Sequence, residues 1–190
     1  MIQLRRVIGT KPVKLLDKFR EIDEFAVLVH GDFNRNNLMF KHDEGGRVID
    51  MKTLDFQQVR YGSPCLDLAF FMYLNIQPND RTQIWSKLLE MYHEKLLSNT
   101  SKILNVSPFD SIFDPFRFDK FMNHCQRFYL YGAIISETEK IAQLFHENMF
   151  DEKYRKFALM VGGELANETI VETMKHASKM GYLNFLYEME

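Results

Sequence analysis

The hydrophobic pattern of this chain changes period at Ser63 and Pro64, and that change limits what it can fold into. Ahead of it, apolar residues come in short extended runs: "AVLV" at 26–29, "LMFK" at 38–41 and "KTLDF" at 52–56. Runs of this length suit strands and are too short for helices. Beyond it, helical spacing dominates almost to the C-terminus. A serine followed by a proline is a helix start signal, because the hydroxyl caps the first turn and the ring presets its φ. "SPCLDLAFFMYLN" therefore predicts a helix ending before Pro78. "NDRTQIWSKLLEMYHEKLLSN" predicts a second, with Ile84, Leu88, Tyr92 and Leu96 on one face. The polar, proline-containing link "SNTSKILNVSPFDSIFDP" is long for a connection inside a compact domain. Two or three more helices are expected from about Asp119, with breaks near Asn148 to Glu152 and at Gly181. Nearer the start, "KPVKLLDKFREIDEF" has the spacing of a short helix, with Pro12 in its opening turn.

The expected fold class is α+β, mainly α, in a single domain over residues 1–190. A loop and hairpin platform (26–62) is set on a helical body (63–190). Gly45 and Gly46 supply the positive-φ positions that a hairpin turn needs between the second and third runs. No internal repeat, low-complexity tract or sustained heptad interrupts this plan.

Bulk chemistry removes several function classes. Lys and Arg (24) nearly balance Asp and Glu (26), so the chain lacks the basic footprint that a nucleic-acid partner requires. The greasy stretch "CLDLAFFMYL" is broken by an Asp and is shorter than the roughly 20 residues of a membrane span. The basic N-terminus has no apolar run of the secretory kind. A soluble, cytoplasmic protein with no membrane or nucleic-acid partner is the expectation. Cys65 and Cys125 sit in apolar segments, where buried reduced thiols are expected. The six histidines are scattered without zinc-site spacing.

Against this plain background, "VLVHGDFNRNNLMF" places an Asp, an Arg and three Asn directly behind an apolar run that reads as a short buried strand or an extended entry to a loop. If the hairpin closes, its two ends bring Asn37 and Asp55 towards each other, and Asp32 lies five residues before Asn37. Two oxygen ligands and a separate carboxylate then converge. Such a set suits Mg²⁺, which takes oxygen ligands and is held by one or two carboxylates together with substrate phosphates. A neighbouring carboxylate can orient a hydroxyl and accept its proton.

The pattern HGDxxxxN, here His30, Gly31, Asp32 and Asn37, with Asp55 of "DFQ", resembles the catalytic core of the aminoglycoside phosphotransferase and choline kinase superfamily. More narrowly, "VLVHGDFNRNN", "LDFQQVRYGSP" and "DLAFF" together resemble the ecdysteroid kinase-like proteins, over positions 27 to 75. The resemblance implies a protein-kinase-like fold, with Asp32 as the catalytic aspartate and Asn37 and Asp55 as the Mg²⁺ ligands. It implies His30 as a brace of the loop and Asp67 as a carboxylate that steadies it from a helix. It implies an ATP-dependent small-molecule kinase that moves the γ-phosphate to an acceptor hydroxyl. A steroid or xenobiotic alcohol is favoured, with a choline-like acceptor as the other option.

Enzymes of this group also carry an N-terminal lobe that covers the phosphates and grips adenine. About 26 residues precede the motif here, too few for a five-stranded sheet at the usual strand length, so the chain reads as a C-terminal lobe. The alternative function is a non-catalytic binding module without the ATP-clamping lobe. A metal-dependent phosphatase would need a carboxylate-rich two-metal cluster. Arg35 and Arg60 are candidates for phosphate contacts, with solvated or carboxylate-paired arginines the commoner outcome. The aromatics of "FDPFRFDKF" and "FYLYG" suit either the core or a pocket for an apolar or cationic acceptor. "SETEK" at 136–140 suits a cationic substrate or an exposed helix face equally.

Overall fold

The side chain of Ser63 accepts a hydrogen bond from the Cys65 N–H at 3.1 Å, and Pro64 opens the helix behind it. In this computed structural model, which describes residues 15, 17–146 and 164–189, that helix is α1 (Pro64–Asn75), ending before Pro78 as expected. The second helix, α2 (Pro78–Leu104), runs straight through "SNTSKIL" and stops where Asn105 turns left-handed, at φ 55. The expected long link is thus only 105–117, and part of it is a 3-10 turn (Ser111–Phe116) capped by Asp110. Two further helices follow, α3 (Phe118–His146) and α4 (Glu164–Lys179). Gly181, at φ 79, turns the chain after α4. The break expected near Asn148 to Glu152 and the start of the predicted helix at 11–14 lie outside the described residues.

The buried stripe of α2 is Arg81, Trp85, Leu89 and His93, one position along from the predicted one. Ile84 is exposed, while Leu88 and Tyr92 pack at the edge of the core. The four-residue spacing is the same, but its anchor is an arginine. Arg81 is buried because its guanidinium donates to Thr173 Oγ1 at 2.8 Å and to the Tyr73 carbonyl at 3.0 Å, and it lies over the Tyr73 ring. A buried charge is tolerable only when satisfied in this way.

The core sits where α1 crosses α3. A Cβ on Gly132 would come within 2.3 Å of the Ala69 carbonyl carbon, so the helices touch backbone to backbone. Cys65 and Cys125 are free, fully buried and face each other across this crossing with Sγ atoms 3.4 Å apart. Burial pushes the Cys125 thiol far up, and with no exposed surface both side chains serve as packing groups.

Two antiparallel ribbons precede the helices in the chain, and one of them meets α1 through its first strand. β1 (Val27–Val29) pairs with β4 (Arg60–Gly62), and β2 (Leu38–His42) pairs with β3 (Val48–Thr53). Leu38 opposes Thr53 and Phe40 opposes Met51, with a bulge at Lys41 and His42. The turn uses Gly46 at φ 77. β3 begins four residues before the predicted run and stops before Leu54, because Asp55 leaves the extended region altogether. The architecture is the expected α+β, mainly α, arrangement. No described helix is long and apolar enough to cross a membrane.

Candidate active site

β1 delivers the chain into His30, Gly31 and Asp32, and α1 holds that delivery in place. Asp67, in the first turn of α1, accepts from the His30 N–H at 2.6 Å and from the Gly31 N–H at 2.9 Å. Burial pushes its carboxyl above the usual range; the two N–H donors, the His30 ring and the Arg60 charge pull the other way without cancelling it. Gly31 has φ 84, and a Cβ there would meet the Gln58 carbonyl oxygen at 2.2 Å. Only glycine fits both the left-handed backbone and the close approach.

His30 ties the loop to the end of β3. Its Nδ1 accepts from the Asp32 N–H at 3.3 Å, so the proton sits on Nε2, which donates to the Leu54 carbonyl at 2.8 Å. The Phe56 ring packs against the imidazole at 4.7 Å between centroids. Both ring nitrogens are therefore engaged in bracing.

The polar loop is organised around the Asp32 carboxylate. Asn34 caps the 3-10 turn Arg35–Asn37 by accepting from the Asn36 N–H at 2.8 Å, and its Nδ2 donates to Asp32 Oδ1 at 2.7 Å. Asn37 Nδ2 donates to Asp32 Oδ2 at 3.0 Å and to the Asp32 carbonyl at 2.9 Å. Each carboxylate oxygen thus has its own amide donor. The Asn37 carbonyl in turn accepts from the Leu54 N–H at 2.8 Å, which places the residue before Asp55 beside the loop.

Asp55 has φ 61 and ψ 67, a left-handed conformation costly for a residue with a Cβ and tolerated best by Asp and Asn. Its side chain is exposed and accepts from Gln57 Nε2 at 3.2 Å. The structure therefore joins Asp32, Asn37, His30 and Asp67 by direct hydrogen bonds, and brings in Asp55 through its neighbour Leu54. Among the described residues no three His, Cys, Asp or Glu side chains gather into a metal cluster. The fit to Mg²⁺ rests on the donor chemistry. Asn37 spends its amide nitrogen on Asp32, and among the described residues no hydrogen bond engages its Oδ1. Asp55 likewise presents an exposed carboxylate. One amide oxygen and one carboxylate leave room for the waters and phosphate oxygens that this ion prefers.

Arg35 is exposed, and the Arg60 guanidinium donates to the Gln58 carbonyl at 3.5 Å. The side chains of "SETEK" lie outside the described residues. Asn34 is the site residue that the sequence reading passes over. It is buried at 5% exposure; the available signal was an Asn directly before a turn, where side-chain capping is favoured. A second constellation invites a catalytic reading and fails it. Ser63 Oγ lies 2.6 Å from His124 Nε2, and His124 Nδ1 lies 3.4 Å from Asp23. Ser63 is only 1% exposed, so no substrate can reach its hydroxyl, and burial pushes His124 down. The trio fastens the start of α1 to α3.

No curated protein and no solved structure matches the chain. The ecdysteroid kinase-like family matches residues 3–106, more than half of the sequence and the whole stretch that builds this site. The family is one of kinase-like phosphotransferases. With the braced HGD loop, the doubly held Asp32 and the left-handed Asp55 falling inside the matched stretch, the chain belongs to the ecdysteroid kinase-like family.

Proposed function

We propose that the site serves ATP-dependent phosphorylation of a small-molecule alcohol, with Asp32 as the catalytic carboxylate. The observation that carries this reading is the pair of amide donors, Asn34 Nδ2 and Asn37 Nδ2, one on each oxygen of Asp32. A carboxylate held this way has a fixed direction, which suits it to orient a hydroxyl and take its proton. The acceptor oxygen bonds to the γ-phosphorus, the bond from that phosphorus to the ADP oxygen breaks, and the hydroxyl proton passes to Asp32 and on to solvent. Asn37 and Asp55 would hold Mg²⁺, which when bound neutralises charge on the phosphates. A steroid or xenobiotic alcohol is the favoured acceptor, on family resemblance, and the working compartment is the cytoplasm.

The test is thermal unfolding of the chain with and without Mg²⁺ and ATP. A ligand present at a hundredfold excess over its Kd stabilises the folded state by about 2.7 kcal/mol, a rise of about 5–10 °C for a chain of this size. The rise is expected in the parent and should vanish in Asp55→Asn. Asp32→Ala should retain it, because the Asp32 carbonyl still holds Asn37 at 2.9 Å, while turnover collapses. A rise that survives Asp55→Asn, or no rise in a folded parent, would overturn this reading of the chain.

A further inference from the structure

The 105–117 link, the outer face of α2 and the start of α3 line a half-open cleft of about 630 Å³, within the usual range for small-molecule sites. Its walls combine two chemistries. Phe109, Phe113 and Phe118 supply aromatic surface, and Phe109 is 92% exposed, an unusual position for a phenyl ring. Glu94, Asp110, Asp114 and Asp119 bring four carboxylates against the single guanidinium of Arg117. That cation is already spent, since Arg117 Nε donates to Asp114 at 2.9 Å and a second nitrogen lies 2.6 Å from the same oxygen. Asp110 is occupied in capping the 3-10 turn. Glu94 and Asp119, both exposed, make no hydrogen bond or ion pair among the described contacts. His93, at the same wall, donates from its Nε2 to the Phe116 carbonyl at 2.7 Å.

We propose that this cleft binds an organic cation with an apolar body, such as a quaternary or protonated amine. Aromatic faces attract a cation through their ring quadrupoles, and unpaired carboxylates at the same opening exclude anions. A neutral molecule of the same shape would gain the aromatic contact alone. The site stands on the cleft itself, so it holds whether or not the chain transfers phosphate.

Calorimetric titration of the full chain with benzyltrimethylammonium tests it, with 2-methyl-1-phenylpropan-2-ol as the uncharged comparator of similar shape. Saturable binding of the cation, at least about tenfold tighter than the alcohol, is expected. The double variant Glu94→Gln and Asp119→Asn should lose most of that difference, and Phe109→Ala should weaken the cation. All three residues are exposed, so the variants should melt with the parent, and the parent's own preference between the two probes needs no variant at all. Equal affinity for both probes, no saturable binding by the parent, or a double variant that binds like the parent would overturn the assignment.

Discussion

At the scale of single residues, the HGD loop is held by a side chain from the helix behind it. That side chain is Asp67: one carboxylate accepts two consecutive backbone N–H groups, from His30 and Gly31, and so sets the direction in which Asp32 leaves β1. Asp67→Asn keeps the size but offers one acceptor oxygen and turns an amide N–H₂ towards a backbone donor. The expected cost is about 1–3 kcal/mol, that of leaving one buried N–H unsatisfied. Urea unfolding checks it, and a midpoint equal to that of the parent would show that the brace carries no energy. Asp32, Asn37, Asp55 and His30 were legible in the sequence from HGDxxxxN and the later "DFQ", and Asp67 from "DLAFF", because those elements occur in order. Asn34 was not, because an asparagine in a polar loop looks the same whether it faces water or clasps a carboxylate.

At the scale of elements, α1 links the core to the site, since its first turn carries Asp67 and its middle turn presses on α3. The contact of Ala69 with Gly132 leaves no room for a side chain. Gly132→Ala must therefore push α1 away from α3, and overpacking against backbone atoms is expected to cost about 3 kcal/mol. Gly46→Ala is the control, because its Cβ would meet open space at φ 77, leaving only the strain of the left-handed turn, about 1 kcal/mol. The two melting curves decide it: Gly132→Ala should fall well below Gly46→Ala, and the reverse order would contradict the close crossing. Helix ends were readable where a cap announced them, as at Ser63 with Pro64. The register of α2 was not, because its buried stripe is anchored by Arg81, whose burial depends on Thr173, 92 positions along the chain.

At the scale of the whole molecule, stability should depend on pH through two imidazoles, half-buried His176 and buried His124. His176 packs on Trp85 and Tyr73, and burial, with the charges of Arg81 and Lys179, pushes it down to about 4 from an ordinary value of 6.5. A base depressed in the folded state binds fewer protons there than in the unfolded chain, so its stabilising effect is complete above pH 6.5 and is lost as the pH falls towards 4. His124 is shifted in the same direction, again chiefly by burial. The melting temperature is expected to fall from pH 7 to pH 4, and His176→Gln should flatten that slope; a parallel profile in the variant would show that other groups drive it. The sequence alone determined the mainly helical plan, the boundary at Ser63 and the identity of the polar cluster, because periodicity, capping and an ordered motif are local properties of the chain. Only the tertiary structure decided which stripe of α2 is buried, that the 105–117 link lines a cleft, and that Asn34 and Asn37 divide the two oxygens of Asp32. Those outcomes depend on partners far apart in sequence or on the direction of a side chain, and neither is written in the spacing of residues.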